Sequence, residues 1–407
     1  MRKRNKLKIL NDPIYGFITI PNELIFDVIE HRYFQRLRRI SQMGMSYLVY
    51  PGAHHTRFHH ALGGMHLMQK AISVLRFKGV EISEAEAEAL QLAILLHDIG
   101  HGPFSHAMEH SIVDGISHEW ISLQFMRELN IEFGGKLDLA IEIFTGSYKR
   151  SFMCQLISSQ LDMDRLDYLK RDSFYTGVAE GNINSERLIT MLNVVDDTLV
   201  IEEKGIYSVE KFLVARRLMY WQVYLHKTSL VAEQLLIRML KRAKELVAQG
   251  VSLKCSEALW YFLQHSVRQQ DFSAKALTTF SQLDDYDLVM AMKDWQHHED
   301  VVLSKLSAMI IHRDLLKVKL KNKPIDQQKL VRHKEAVVKQ LTITAAEANY
   351  FVFSGKISNL AYQADKENIL ILRKNGKITD VAKASDQLNL EALSSTVTKY
   401  YACYPKD

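Results

Sequence analysis

Two histidine-rich segments and one acidic segment contain the residues of this sequence that could bind a metal ion. Residues 54–60 read HHTRFHH, residues 97–106 read HDIGHGPFSH and residues 161–172 read LDMDRLDYLKRD. A single buried histidine is usually a satisfied core residue, whereas histidines clustered with an aspartate and glycines are typical of a metal site. Imidazole nitrogens and carboxylate oxygens suit divalent Mn, Fe, Zn or Mg. Because such an ion polarises a phosphoryl oxygen and lowers the pKa of bound water, these segments indicate hydrolysis at phosphorus.

The spacing around the His-Asp pair predicts a shared cavity. His97 and Asp98 are adjacent, and His101 follows four residues after His97. Residues i and i+4 share one face of a helix, so we expect His97 and His101 to approach the same space at a helix end. The glycines and proline of residues 100–103 then end the helix and let His106 return toward that space.

The acidic segment is interpreted as a partly buried helix. Leucines and a methionine alternate with its acids at positions that favour burial of one face. The alternative is an exposed acidic face of a packing helix. The acids concerned are Asp162, Asp164, Asp167 and Asp172.

Helical periodicity dominates the rest of the chain, so the predicted fold class is mainly α. A helix over residues 83–98 has Ser83 as its N-cap, glutamates in its first turns and an apolar end, which places His97 and Asp98 in the interior. A further helical stretch covers residues 22–42. Strand signals are few: residues 193–207 and 368–381 are predicted to form hairpins, the second at an Asn-Gly turn.

The chain is expected to form a catalytic core and two smaller regions. We place the core at residues 1–235, a helical region at 236–345 and a small α+β C-terminal lobe at 346–407. The lysine-rich stretch 313–339 is interpreted as solvated faces of surface helices, with a phosphate or partner surface as the alternative. The acidic residues before it are interpreted in the same way: Asp284, Asp285, Asp287, Asp294, Glu299 and Asp300.

Composition restricts the class of protein. With 407 residues, 47% hydrophobic and 24% charged, the chain is an ordinary globular protein. Its net charge of +5 suits a protein that handles phosphates but is weak for a dedicated nucleic-acid coat. Three scattered cysteines form no disulfide framework, and no apolar run is long enough for a signal peptide or a membrane span. We therefore expect a cytoplasmic protein that is not bound to a membrane.

The order of motifs resembles a known enzyme family. HTRFHHALG, HDIGHGPFSH, SHEW and LDMDRLDYLKRD follow one another as in the HD-domain deoxynucleoside triphosphate triphosphohydrolases. The chain is similar to the catalytic region of the sterile-alpha-motif and HD-domain protein, and most similar to stand-alone bacterial members. NDPIYGFI, FQRLRRISQMG and RRLMYWQVYLHK extend the likeness. The resemblance implies a helical HD-domain core. It also implies that the protein hydrolyses deoxynucleoside triphosphates to a deoxynucleoside and tripolyphosphate.

The resemblance also implies roles for the histidines and acids. One divalent metal ion would be held by His60, His97, Asp98 and Asp164, and Mg would accompany the nucleotide. His59 falls outside the family pattern R-F-x-H and is interpreted as an auxiliary or surface histidine. The phosphate site would be lined by His101, His106 and His118, with His106 as the proton donor to the leaving nucleoside. Glu109 replaces the aspartate that orients this histidine in the closest relative.

Substrate recognition is implied for a further group of positions. Arg57 matches an arginine that contacts phosphate, and its alternative role is a salt bridge that fixes the loop. Gln42 matches the residue that reads the sugar 3′-hydroxyl, and Tyr168 matches a ring that excludes a ribose 2′-hydroxyl. The remaining positions are Met43 in place of leucine, Arg165 in place of lysine, Asp172, Arg216 and Tyr224.

Larger members of the family are activated by nucleotides bound between subunits, so the chain is expected to form a homo-oligomer, a dimer or tetramer. Part of that regulatory pocket is matched by Lys8, Ile9, Asn11, Glu30 and Arg38.

Two other functions are compatible with these residues. Another HD phosphohydrolase, such as a nucleoside monophosphatase or a phosphodiesterase, would share the metal ligands but lack the sugar-reading residues. A protein that binds single-stranded nucleic acid, or a scaffold on the same fold, would use the lysine-rich stretch. Its binding would weaken with salt and survive loss of the metal ligands.

Overall fold

The computed structural model describes residues 8–104, 111–113, 115–362, 368–386 and 395–406. The fold is mainly helical, as predicted, with three small sheets beside the helices. None of the helices in these ranges is long and apolar enough to span a membrane.

The N-terminal helical stretch is broken, whereas the sequence pattern predicts one helix over residues 22–42. Helix α1 (Glu23–Glu30) ends at His31, whose extended backbone and ring cap α2 (Arg32–Gln35), and a 3-10 turn (Arg36–Arg39) follows. The helix prediction was therefore wrong at His31, because capping there competes with continuation of α1. The predicted apolar residues are nevertheless buried, except the partly exposed Leu24: Ile25, Val28, Ile29, Phe34, Leu37 and Ile40.

Two long helices form the centre of the core. Helix α3 (Arg57–Phe77) packs against α4 (Glu84–Leu96), and Ser83 and Glu86 form the capping box that begins α4, as predicted. The core continues with α5 (His118–Glu132), α6 (Asp138–Phe144), α7 (Ser151–Ile157), α8 (Met163–Thr176), α9 (Ser185–Thr190) and α10 (Ile206–Met219).

The second half of the chain begins with a π-helical turn (Tyr220–Tyr224) and the long helix α11 (Lys227–Ala248). Helix α11 passes without a break through the boundary expected near residue 235, and the division into three regions stays a prediction. The helices that follow are α12 (Glu257–Gln264), α13 (Ala274–Phe280), α14 (Asp285–Trp295), α15 (Val301–Ile311), α16 (Gln327–Leu341) and α17 (Val381–Ala384).

Both predicted hairpins are present in one four-stranded sheet. Strands β3 (Leu192–Val195) and β4 (Thr198–Glu202) are antiparallel, as are β7 (Leu370–Leu372) and β8 (Ile378–Asp380). Strand β4 pairs with β7 in parallel at Ile201 and Ile371 and joins the two hairpins.

The other two sheets were not predicted. An N-terminal hairpin consists of β1 (Lys8–Asp12) and β2 (Gly16–Ile20). A three-stranded sheet has the order β5 (Lys317–Lys321), β9 (Val397–Tyr404), β6 (Phe353–Asn359). The lysine-rich stretch is therefore partly an edge strand with its lysines exposed, which corrects the expectation of surface helices alone. Exposed charges on an edge strand oppose pairing with other chains.

Candidate metal centre and substrate cavity

Three helix ends bring the four predicted metal ligands together. His60 lies in the first turn of α3, Asp164 lies in the first turn of α8, and His97 and Asp98 follow the end of α4. Helix α3 packs against both α4 and α8, which aligns these ends. His97 and His101 do not share a helix face as predicted, because α4 ends at Leu96 and a turn follows.

The turn after α4 approaches another helix closely. A Cβ atom on Gly100 would overlap the carbonyl of His118 and the amide of Ser122. Ser122 Oγ donates to the carbonyl of His97 at 2.7 Å and accepts from the amide of Gly100 at 2.9 Å. Glycine is therefore required at position 100 for α5 to fix this turn and to bring His118 near Asp98.

The ligand atoms converge within the coordination sphere of one ion. Nε2 of His60 and Nε2 of His97 lie 3.0 and 3.5 Å from Oδ1 of Asp164. Oδ1 of Asp98 lies 3.4 Å from His97 Nε2, and its Oδ2 lies 3.7 Å from His60 Nε2. Ligands about 2.1 Å from an ion are about 3.0–3.4 Å apart at octahedral or tetrahedral angles. The residues present therefore fit a single divalent metal.

Both imidazole rings are oriented with Nε2 toward this point. His60 Nδ1 lies 2.7 Å from Oδ2 of Asp167, and His97 Nδ1 lies 2.7 Å from the carbonyl of Ile94. A carbonyl only accepts, so His97 must carry a proton on Nδ1, which leaves the Nε2 lone pair of the neutral ring for a metal. Among the described residues neither Nε2 atom has a hydrogen-bond partner of acceptable geometry, and both are buried.

The electrostatics of the cluster favour a cation. Burial opposes protonation of His60, but the nearby carboxylates of Asp164 and Asp167 outweigh it and raise its pKa to about 10. Burial also opposes ionisation of Asp98, yet His97, Arg57 and His101 hold the pKa of that carboxyl well below its usual range. A proton on Nε2 of His60 and a metal ion would compete for the lone pair of that nitrogen.

A cavity of about 610 Å³ opens beside the cluster. Nine of the predicted catalytic and substrate positions line its wall together with Asp98 and Asp164, which joins the metal ligands to the space for a substrate. These nine residues are Gln42, Met43, Arg57, His101, His118, Arg165, Tyr168, Asp172 and Tyr224. His106 and Glu109 lie outside the described residues.

The end of the cavity nearest the metal ligands is polar and basic. Arg57 donates to Oδ2 of Asp98, and the rings of His101 and His118 stack at 3.8 Å. Burial and the charge of Arg57 lower the pKa of His101 well below its usual value, so its ring is neutral at pH 7. Asp98, His101 and His118 also offer ligand atoms within 4.8 Å of one another.

Another part of the cavity wall, which we call the aromatic end, contains Tyr168, Tyr220 and Tyr224. Tyr168 and Tyr224 meet edge to face at 6.0 Å. Asp172 accepts from Tyr224 Oη at 2.8 Å and lies 2.7 Å from Nε2 of His55, which stacks on Tyr175. Residue-by-residue reasoning missed His55, although its position in HHTRFHH is a signal.

Arg216 is predicted to lie near the substrate, but it does not line the cavity. Its side chain is buried, and its guanidinium lies 6.0 Å from the ring of Tyr220, a cavity residue. Within the described ranges its Nε and Nη1 atoms have no hydrogen-bond partner. Burial of a guanidinium with incomplete hydrogen bonding is costly.

The five residues of the implied regulatory pocket are all exposed. Lys8, Ile9 and Asn11 lie on β1, with Lys8 Nζ 3.3 Å above the ring of Phe26. Glu30 ends α1, and Arg38 lies over Phe58 at 3.6 Å. The regulatory role stays a prediction.

Two buried charged residues that hold the site were not predicted. Arg36 donates to the carbonyls of Ile99 and His101 at 2.8 and 3.0 Å. Asp285 accepts from the amides of Ser41 and Phe104 at 2.8 and 2.7 Å. Asp284 and Asp285 are buried, which corrects the expectation that this acidic cluster is solvated. The error arose because their partners are about 180–250 residues away in sequence.

Substitution of Asp285 by asparagine is expected to destabilise the protein by about 2–3 kcal/mol. The amide NH₂ would face a backbone N–H that needs an acceptor, either that of Ser41 or that of Phe104. The free energy of unfolding in urea measures this effect. Asp287→Asn is the matched control, because Asp287 accepts from the nearby amide of Asp284 and is half-buried. Equal losses in the free energy of unfolding of the two variants would contradict the conclusion that Asp285 holds Ser41 and Phe104 in place.

Comparison with known proteins identifies the family of this chain. Residues 57–172 match the model of the HD domain, and residues 183–258 match the HD associated region. The crystal structure of a phosphohydrolase from Bacteroides thetaiotaomicron is 53% identical, with a TM-score of 0.96 over 98% of this chain and 100% of that chain. The matched HD domain begins at Arg57 and ends at Asp172, so it contains all four metal-ligand positions.

Two relatives known from sequence extend the comparison. The uncharacterized protein YwfO of Bacillus subtilis is 32% identical over 100% of this chain and 94% of its own length. A deoxynucleoside triphosphate triphosphohydrolase SAMHD1 homolog of Dictyostelium discoideum is 32% identical over 56% of this chain, which corresponds to 47% of that relative. The predicted resemblance is confirmed: the chain belongs to the HD-domain phosphohydrolase family.

Proposed function

We propose that this protein hydrolyses deoxynucleoside triphosphates to a deoxynucleoside and tripolyphosphate by attack of water at the α-phosphorus. One observation carries the proposal: a single cavity of about 610 Å³ is lined by the predicted metal ligands Asp98 and Asp164, by two arginines and two histidines, and by the tyrosines of the aromatic end. The Dictyostelium relative is named as a deoxynucleoside triphosphate triphosphohydrolase, which supports the same substrate class.

The polar end of the cavity suits a triphosphate. A divalent ion held by His60, His97, Asp98 and Asp164 would polarise a phosphoryl oxygen and lower the pKa of bound water. Arg57 and Arg165 place positive charge on the cavity wall, where it would neutralise phosphate oxygens. The neutral ring of His101 would donate a hydrogen bond to one of them.

In the proposed reaction the water oxygen bonds to the α-phosphorus and the bond to the sugar 5′-oxygen breaks. That oxygen leaves with a proton, which we assign to His106, with Glu109 orienting its ring. A histidine near its ordinary pKa can donate a proton at neutral pH. The products are a neutral deoxynucleoside and tripolyphosphate, so no further co-reactant is needed.

The aromatic end suits a deoxyribose. Gln42 lines the cavity, and its buried Oε1 has no hydrogen-bond partner among the described residues. An unpaired buried acceptor is costly, so the sugar 3′-hydroxyl is a fitting donor for it. Tyr168, held against Tyr224, would close the space beside the sugar where a 2′-hydroxyl would lie. Met43, Asp172 and the buried charge of Arg216 complete the proposed substrate surroundings.

The metal, partners and regulation belong to the same proposal. The resident ion is Mn, Fe, Zn or Mg, and Mg that accompanies the nucleotide would fit beside Asp98, His101 and His118. We propose a homo-oligomer, a dimer or tetramer, that binds a regulatory nucleotide at Lys8, Ile9, Asn11, Glu30 and Arg38. Weak binding of single-stranded nucleic acid would use the exposed lysines of β5.

A product assay in ¹⁸O-labelled water tests the proposed reaction. The protein is incubated with each of the four deoxynucleotides, alone and mixed, with Mn²⁺ or Mg²⁺. We expect deoxynucleoside and tripolyphosphate, with the label in tripolyphosphate, and much slower cleavage of the matching ribonucleotides. Asp98→Asn protein controls for contaminating phosphatases. Release of orthophosphate or monophosphate instead would overturn the proposal, and activity on monophosphates alone would favour another HD phosphohydrolase.

A further inference from the structure

A buried chain of ionic contacts extends behind the metal ligand His60. Asp167 Oδ2 lies 2.7 Å from His60 Nδ1, and the Arg171 guanidinium donates to both oxygens of Asp167 at 2.9 and 3.0 Å. Nη1 of Arg171 donates to Oδ2 of Asp12 at 2.7 Å. The first three side chains are fully buried and Asp12 is 7% exposed. Solvent therefore has little access to this relay, which consists of His60, Asp167, Arg171 and Asp12.

The packing of α3 against α8 is adapted to the relay. A Cβ atom on Gly63 would overlap Oδ1 of Asp167 and Nη2 of Arg171. Gly63 lies within the regular helix α3, so its backbone conformation does not require glycine. The absence of a side chain at this position instead makes room for the ion pair directly behind His60.

Asp12 joins the relay to the N-terminal hairpin. Its Oδ2 accepts from Arg171, while its Oδ1 accepts from the amides of Ile14 and Tyr15 at 2.8 and 3.0 Å. These two amides belong to the turn between β1 and β2. One carboxylate therefore fixes both the hairpin turn and the guanidinium that holds Asp167.

We propose that Asp12 is a positioning residue of the metal centre, which acts through Arg171 and Asp167 to fix the His60 imidazole. The hairpin β1–β2 and the bound metal then stabilise one another. The inference rests on the metal site of the proposed function, but not on its substrate or reaction.

The physical reason is the cost of an unpaired buried charge. Without the Asp12 carboxylate, Arg171 loses an acceptor in a place closed to water and must shift or draw in solvent. Movement of Arg171 releases Asp167, and His60 then loses the partner that fixes its ring. Residues that orient a ligating histidine typically change metal affinity by about 10–100-fold when they are substituted.

Asp12→Asn tests the relay through metal affinity. The amide can still accept the turn amides with its oxygen, but its NH₂ group then faces the donors of Arg171. We expect the affinity for Mn²⁺ or Co²⁺ alone, measured by chelator competition, to fall about tenfold or more. Asp12→Glu should recover part of the loss, and the exposed Asp27→Asn serves as the control. Unchanged affinity in folded Asp12→Asn protein would overturn the proposal.

Hydrogen exchange of the wild-type protein provides a test that needs no variant. Since coupling between two sites is reciprocal, metal binding should slow amide exchange in a peptide covering residues 8–20. The control is the β3–β4 hairpin, residues 192–202, because no hydrogen bond or ion pair among the described residues joins it to the relay; it should exchange at the same rate with and without metal. Equal exchange of residues 8–20 in both states, with metal bound, would overturn the relay and leave the proposed function intact. Failure to bind any metal would overturn both.

Discussion

Substitution of Asp98 by asparagine is expected to remove the bound metal and lower turnover by roughly a thousandfold or more. Asp98 lies 3.4 Å from another predicted ligand, His97, and also accepts from the cavity residue Arg57. Its neutral amide analogue offers a weaker ligand and does not balance the charge of Arg57. Loss of about 4 kcal/mol of transition-state stabilisation corresponds to this factor.

Metal content after dialysis against a metal buffer and steady-state turnover of the four deoxynucleotides measure this effect. Asp162→Asn is the matched control for metal content, because Asp162 is also buried close to the site but caps α8. Asparagine is a good N-cap residue, so the control should keep its metal. Wild-type metal content and turnover in Asp98→Asn would contradict the assignment of the metal centre.

Local signals in the sequence were enough for elements with strong caps or turns. Helix α4 begins at Ser83 because Ser83 and Glu86 satisfy each other's backbone amides. The β3–β4 hairpin turns at Asp196 and Asp197, both of which adopt positive φ. The helix start and the hairpin turn both depend on residues within a few positions of one another. Such local interactions can be recognised in a single sequence.

The missed elements depend on contacts that the sequence does not display. His31 ends α1 because its ring accepts from the amide of Tyr33, an alternative that helical periodicity does not reveal. The sequence of strand Lys317–Lys321 has the alternation of a β-strand, since its lysines alternate with apolar residues. The many lysines around it instead favoured the interpretation as surface helices. Its partner β9 lies about 80 residues later in the chain.

The metal ligands were easier to find than the residues that hold them. His60, His97, Asp98 and Asp164 are in motifs with family-specific spacing; the structure groups His60, His97 and Asp164 and places Asp98 beside them, 3.4 Å from Nε2 of His97. Asp12 and Arg36 lie in motifs that extend the family likeness, but the sequence does not show that these two side chains and that of Asp285 are buried. Burial of a lone charge requires a partner from a distant segment, so a single sequence gives no local sign of it.

Substitution of Arg57 tests whether its guanidinium binds phosphate or serves only a structural role. We expect the loss of Arg57 to have the second-largest effect on turnover, after that of Asp98. Its buried guanidinium lies between Asp98 and the cavity. For Arg57→Gln we expect kcat/KM to fall roughly 100–1,000-fold, the range found when a charge-stabilising donor is removed. Arg57→Lys should lose less, because it keeps the charge but not the planar fork.

Tripolyphosphate is the probe that separates the two roles of Arg57. If Arg57 binds phosphate, the inhibition constant of tripolyphosphate rises in Arg57→Gln while the Mn²⁺ affinity and the free energy of unfolding change little. If Arg57 only fixes Asp98 and the loop, metal affinity and stability fall and tripolyphosphate inhibition stays the same.

The charge of Arg57 also lowers the pKa of His101, so the removal of Arg57 should shift that pKa upward. The acid limb of the pH–rate profile should then move to higher pH, provided that His101 must be neutral to act.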